Sequence, residues 1–179
     1  DLTEADQLFP SPTGEWLIVA YGATSLNNEI TPAVTALHNT DGSIMPLMQN
    51  CQYSAQQVAW SPDGSLIAYP VHATYPEIRI TDVNSGETSV LIRWNSFTKL
   101  SGLSWSPDKR FVAFAQGSRD EETIWLVSTD GKSLQSLTDG LLPSWSPDGN
   151  HILYARRGET HLLDWSLLEV NSTQTEQEQ

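Results

Sequence analysis

Apolar and polar positions alternate along this chain in short runs, and each run ends at a turn signal. Gln57-Val58-Ala59-Trp60 leads through Ser61-Pro62-Asp63-Gly64 into Leu66-Ile67-Ala68-Tyr69-Pro70. Proline sets φ for the first turn position, Asp63 can bond neighbouring amides, and Gly64 can take positive φ, so the segment is predicted to be a β-hairpin. The same pattern recurs where Leu103-Ser104-Trp105 leads to Phe111-Val112-Ala113-Phe114, and where Leu142-Pro143-Ser144-Trp145 leads to His151-Ile152-Leu153-Tyr154. A second hairpin follows in each unit. Glu77–Val83 turns at Asn84-Ser85-Gly86, Thr123–Val127 at Asp130-Gly131, and Val34–Leu37 at Asp41-Gly42. No stretch carries the helical period, so the chain is predicted to be all-β.

The turns form an internal repeat. Trp-Ser-Pro-Asp occurs at 60–63, 105–108 and 145–148, with a worn copy at Pro10-Ser11-Pro12-Thr13-Gly14, and the prolines stand 50, 45 and 40 residues apart. Four strands per unit of about 40–45 residues is the spacing of a propeller blade. The expected architecture is a β-propeller of about four four-stranded blades, at roughly 5–55, 56–98, 99–140 and 141–170, with a polar, acidic tail over 171–179.

This repeated turn, followed by an apolar strand, resembles the WD40-like repeats of the TolB type. The resemblance covers nearly the whole chain. It implies that Pro62, Asp63, Gly64, Pro107, Asp108, Pro147, Asp148 and Gly149 build corners and do no chemistry. It also implies a periplasmic or envelope setting in a bacterium. Thr13 stands in place of Asp, Pro10 in place of Trp and Lys109 in place of Gly, which makes the first copy the least regular blade.

TolB-like propellers resemble six-bladed rings, so four units are expected to be part of a larger ring or a partial propeller, completed by further blades or by self-association. Leu2-Thr3 aligns with the end of an outer strand of a preceding blade. Trp165 aligns with Trp125 when counted from the turn proline, which places Asn171–Gln179 where the fourth outer strand would fall. The start at Asp1 is read as a processed or internal one.

Charge narrows the partners. Twenty-two acidic against nine basic residues give a formal charge of −13, which repels phosphate backbones and anionic membranes. The expected partner is a protein or peptide, with no nucleic acid and no membrane insertion. No apolar run approaches the roughly 20 residues that span a bilayer. Cys51 is alone, so no internal disulfide forms, which suits the cytoplasm as well as an exported protein.

Searching for chemistry finds little. His38, His72, His151 and His161 lack ligand spacing. The run from Asp82 has Glu87 where a calcium loop needs Gly and Arg93 where it needs a bidentate Glu. There is no nucleophile elbow, phosphate loop or dinucleotide fingerprint. The chain is therefore read as a non-enzyme with no catalytic residue, cofactor or metal.

Trp60, Trp105 and Trp145 hold equivalent repeat positions and are expected to pack between blades. Binding is expected from irregular connections instead: Arg93, Trp94 and Phe97 between blades two and three, Asn27 and Asn28 in the first-blade insertion, Tyr75, and Arg119 with Asp120. The function read from this is a non-catalytic scaffold for protein or peptide binding. The alternative is the propeller portion of a larger prolyl-oligopeptidase-like hydrolase, gating a catalytic domain outside this chain. A lactonase-like enzyme with a channel metal would need convergent ligands, which the sequence does not identify.

Overall fold

The computed structural model describes residues 5–21, 25–26, 29–30, 34–38, 41–48, 58–71, 75–95, 98–118 and 121–165. Among these the chain is all-β, with no helix. Sheet one joins β1 (Ala5–Pro10), β2 (Trp16–Tyr21), β5 (Val34–His38) and β6 (Ile44–Met48) in that spatial order. Between β2 and β5 lies a separate two-stranded ribbon, β3 (Ser25–Leu26) with β4 (Glu29–Ile30), inside the first-blade insertion. Sheet two runs β7 (Ala59–Trp60), β8 (Leu66–Val71), β9 (Glu77–Asp82) and β10 (Thr88–Arg93). Sheet three runs β11 (Lys99–Trp105), β12 (Phe111–Ser118), β13 (Glu121–Ser128) and β14 (Leu134–Asp139). Sheet four has β15 (Leu141–Trp145), β16 (His151–Arg156) and β17 (Glu159–Asp164) among the described residues. The strands of each sheet follow chain order and pair antiparallel, as meanders.

The chain divides into two compact units, Asp1–Leu100 and Ser101–Gln179. In the first, Ile18 of sheet one meets Ile67, Tyr69, Val71 and Val83 of sheet two, with Phe9, Trp16, Val58 and Trp60 packed around them. In the second, Ala113 and Leu126 of sheet three meet Ile152 and Trp165 of sheet four, flanked by Phe111, Leu137, Trp145 and Leu163. Each interface is one sheet face laid on another. Each fully buried Ile or Leu there contributes roughly 1.5–3 kcal/mol.

The second strands explain why alternation fades in mid-blade. Val112, Ala113, Phe114 and Ala115 are each 0% exposed, because both faces of β12 are covered. A strand covered on both faces reads as a continuous apolar run. The outer strands β10 and β14 begin with three exposed residues each, two of which are polar in either strand.

Register corrects one expectation. Asp164 pairs with His151 as Ser128 pairs with Phe111, and the amide of Trp165 donates to Asn150 O as that of Thr129 donates to Arg110 O. Trp165 is therefore the counterpart of Thr129, not of Trp125. The β16–β17 strands have six residues each where β12 and β13 have eight, so that hairpin is four residues shorter and counting from the proline overshoots by four residues. Leu2-Thr3 and Asn171–Gln179 lie outside the described residues.

Candidate interaction surface

Each sheet has two ends, and the repeat builds only one of them. At that end, the turn serine and aspartate form a closed circuit. Ser61 Oγ accepts the Leu66 amide at 2.9 Å and donates to Asp63 Oδ1 at 2.7 Å, and Asp63 Oδ1 accepts from Ser65 Oγ at 2.9 Å. Ser106 Oγ accepts from Phe111 N at 2.9 Å and donates to Asp108 at 2.7 Å, while Asp108 accepts from Arg110 N at 3.0 Å. Ser146, Asp148, Asn150 and His151 repeat the arrangement. Without this circuit, corner amides would be left unpaired where the chain reverses.

The fourth corner position has φ of 70° at Gly64 and 75° at Gly149. Lys109 holds the same conformation, with φ of 63°, despite its Cβ. In the worn copy the Thr13 hydroxyl replaces the carboxylate, bonding Ser11 Oγ at 3.2 Å and the Glu15 amide at 3.4 Å.

A corner that the sequence reading took for an ordinary Asp-Gly hairpin has the same construction. Ser128 Oγ donates to Asp130 Oδ1 at 2.6 Å and accepts the Ser133 amide at 2.9 Å, and Gly131 has φ of 72°. The signal was present as Ser128-Thr129-Asp130-Gly131, the same motif without its proline. At Asp82 the carboxylate takes the serine's place, accepting the amides of Asn84 at 2.8 Å and Ser85 at 2.9 Å.

These bonds hold the carboxylates ionised. The Ser128 hydroxyl, then the Lys132 amide and side chain, lower Asp130 to about 2. The amides of Ser85 and Asn84 lower Asp82, and the Ser146 hydroxyl and Asn150 amide lower Asp148. At Asp108 burial opposes ionisation, but Ser106 and Arg110 outweigh it and the carboxyl again lies below its ordinary value.

The opposite end of each sheet carries the connections. In sheet two, Glu77 is 4% exposed and takes two guanidiniums: Arg79 Nε at 2.8 Å on one oxygen and Arg93 Nε at 2.6 Å on the other. Burial favours the neutral acid, yet the two arginines prevail and lower its pKa. The Trp94 amide donates to Pro76 O at 2.8 Å, closing the open end of the β9–β10 hairpin.

This bond and the Glu77 clamp bring three expected residues to one edge: Tyr75, 51% exposed, Arg93 and half-buried Trp94. Asn27, Asn28, Phe97, Arg119 and Asp120 lie outside the described residues. The Glu77 clamp was missed in the sequence because an isolated Glu at a strand start carries no motif.

In the second unit the corresponding end forms a polar pocket of about 670 Å³. Glu121, Glu122, Thr123, Asp139, Arg156 and Arg157 line it. Glu122 accepts from buried Ser101 Oγ at 3.0 Å, and Arg156 stands 3.5 Å from Asp139. Among the described residues no three His, Cys, Asp or Glu side chains are grouped to hold a metal. No helix among them is long and apolar enough to cross a membrane.

Meanders of four antiparallel strands, laid face on face with each outer strand leading to the next inner one, define the β-propeller class. Within that class the fold is similar to that of TolB-type structures. A TolB-type protein from Agrobacterium tumefaciens superposes with a TM-score of 0.68 at 22% identity, over 89% of this chain and 62% of that one. A nidogen/laminin complex gives 0.65 at 14% identity, over 89% and 60%. An oligogalacturonate lyase in complex with manganese gives 0.62 at 17% identity, over 90% and 50%. An uncharacterised protein of Agrobacterium fabrum is 27% identical over 127 residues, 68% of this chain and 42% of that protein. The chain thus spans less than two thirds of each of these proteins. No protein-family model matches it.

Proposed function

We infer that the chain is a non-catalytic propeller scaffold that binds a protein or peptide at the connection end of its sheets, in a bacterial periplasm or envelope. One observation carries this reading: Glu77 and Pro76 hold Arg93, Trp94 and Tyr75 at one edge, an aromatic and cationic set of the kind that anchors protein interfaces. The corners at the other end use their serines and aspartates to satisfy their own backbone, which leaves recognition to the connections. A propeller also stands in the nidogen/laminin complex, and the TolB-type likeness supports the envelope setting. A pull-down with the full-length protein, repeated with Tyr75→Ala and Arg93→Ala, tests the reading. A partner retained by wild type and by Leu134→Ala but lost by both rim variants supports it; retention by all four proteins contradicts it.

The polar pocket favours a second reading, a propeller that forms part of a larger enzyme such as a prolyl-oligopeptidase-like hydrolase. Peptide hydrolysis by the full-length polypeptide, altered by Arg156→Ala, would favour this reading over the scaffold.

A further inference from the structure

The polar pocket at the connection end of the second unit has walls of opposite charge. Glu121 and Glu122 open β13 and Asp139 closes β14, while Arg156 closes β16 and Arg157 follows it in the turn to β17. All these residues belong to one compact unit, and none lies at either end of the chain. Backbone holds the walls together. The Gly140 amide donates to Glu122 O at 2.8 Å, and a Cβ at Gly140 would stand 2.5 Å from the Tyr154 ring, so the link between β14 and β15 lies tight against β16.

Two details mark the walls as built for a ligand. Glu122 Oε2 accepts from Ser101 Oγ at 3.0 Å, and Ser101 is 3% exposed, so a buried hydroxyl holds this carboxylate in place. Arg157 sits at φ of 51° and Gly158 at 80°, in a turn whose first position favours Asn, Asp or Gly. An arginine there works against its own backbone, and among the described residues no ion pair accounts for it. Local misfit of this kind collects at functional sites. Arg156 stands 3.5 Å from Asp139 with side chains 40% and 74% exposed, a pair loose enough for a ligand to replace.

Charge decides the ligand. A purely anionic molecule would face three carboxylates and a chain of formal charge −13, and a purely cationic one would face two guanidiniums. A small molecule with both signs satisfies both walls. Its carboxylate takes the planar fork of an arginine in two parallel bonds, and its ammonium offers three donors to the glutamates. The volume of about 670 Å³ lies within the range of small-ligand sites. We propose that this pocket binds a zwitterion, an amino acid or short peptide with free ends, its carboxylate at Arg156 and Arg157 and its ammonium at Glu121 and Glu122. Such a site is independent of the partner edge in the first unit and of any attached hydrolase.

Calorimetric titration of the full chain with alanine and trialanine, each also as its N-acetyl and its amide form, tests this. Wild type should bind a free-ended probe, alanine if the ligand is an amino acid and trialanine if it is a peptide. Blocking either end should weaken binding at least about tenfold, the worth of one charge-assisted bond. Arg157→Asn and Glu121→Gln should each cost a similar factor. Asn suits the turn better than Arg, so Arg157→Asn should hold or raise Tm, which separates lost binding from lost folding. The N-acetyl form should be indifferent to Glu121→Gln and the amide to Arg157→Asn, while Leu134→Ala should bind as wild type does. Failure of both free-ended probes to bind at millimolar concentration, equal binding of a blocked form, or wild-type affinity in both Arg157→Asn and Glu121→Gln would each overturn the proposal.

Discussion

Ser106 shows how a single side chain makes a corner. Its hydroxyl accepts the Phe111 amide and donates to Asp108, so Ser106→Ala strands one donor and loosens one carboxylate. A loss of about 1–2 kcal/mol in chemical denaturation is expected. Lys109 makes the converse case. At φ of 63° its Cβ is crowded, and Lys109→Gly should stabilise by about 1 kcal/mol, read as a rise in Tm. Leu142, at φ of 54°, occupies the place of Gly102, at φ of 62°, and Leu142→Gly should act in the same direction.

The corner carboxylates also set an acid limit. Their folded pKa values lie below the ordinary value of 3.8, Asp130 at about 2, so the folded state favours the ionised form. The stability they contribute is present above pH 3.8 and lost as pH falls toward about 2. Denaturation midpoints at pH 7, 4 and 2.5 should fall over the last interval for wild type. Replacing Asp108, Asp130 and Asp148 by Asn should flatten that fall; an unchanged fall would place the acid sensitivity elsewhere.

Among the elements, adjacent sheets are tied by equivalent tryptophans in unequal ways. Trp60 Nε1 donates to Phe9 O at 3.0 Å, joining sheet two to sheet one. Trp145 packs on the cluster that sheets three and four share and, within its own sheet, edge-on against Trp165 with ring centroids 5.8 Å apart, but its buried Nε1 has no hydrogen-bond partner among the described residues. Trp60→Phe should therefore cost about 1 kcal/mol more than Trp145→Phe in paired denaturation curves, and equal costs would refute the distinction.

Strands and corners were legible because proline, aspartate and glycine act on the backbone within a few residues of themselves. The corner at Ser128 was only half legible, since it lacks the proline and its serine makes the bonds. The Trp165 register does not follow from counting because the second and third strands are eight residues long in sheet three and six in sheet four. The Glu77 clamp was invisible: Arg93 reaches it across a strand pair, a distance that local pattern does not encode.

For the whole molecule, the repeat made the propeller class readable, since one unit cannot bury both its faces alone. What it binds was not readable, because the residues proposed for recognition lie in connections whose sequence the repeat does not set. The central claim is that successive repeats lay sheet face on sheet face. Methyl–methyl nuclear Overhauser contacts test it most directly. Contacts linking Ala113 and Leu126 of sheet three to Ile152 of sheet four, and Ile18 of sheet one to Ile67 of sheet two, are expected. Their absence from a folded sample, with contacts appearing only within single sheets, would contradict the architecture.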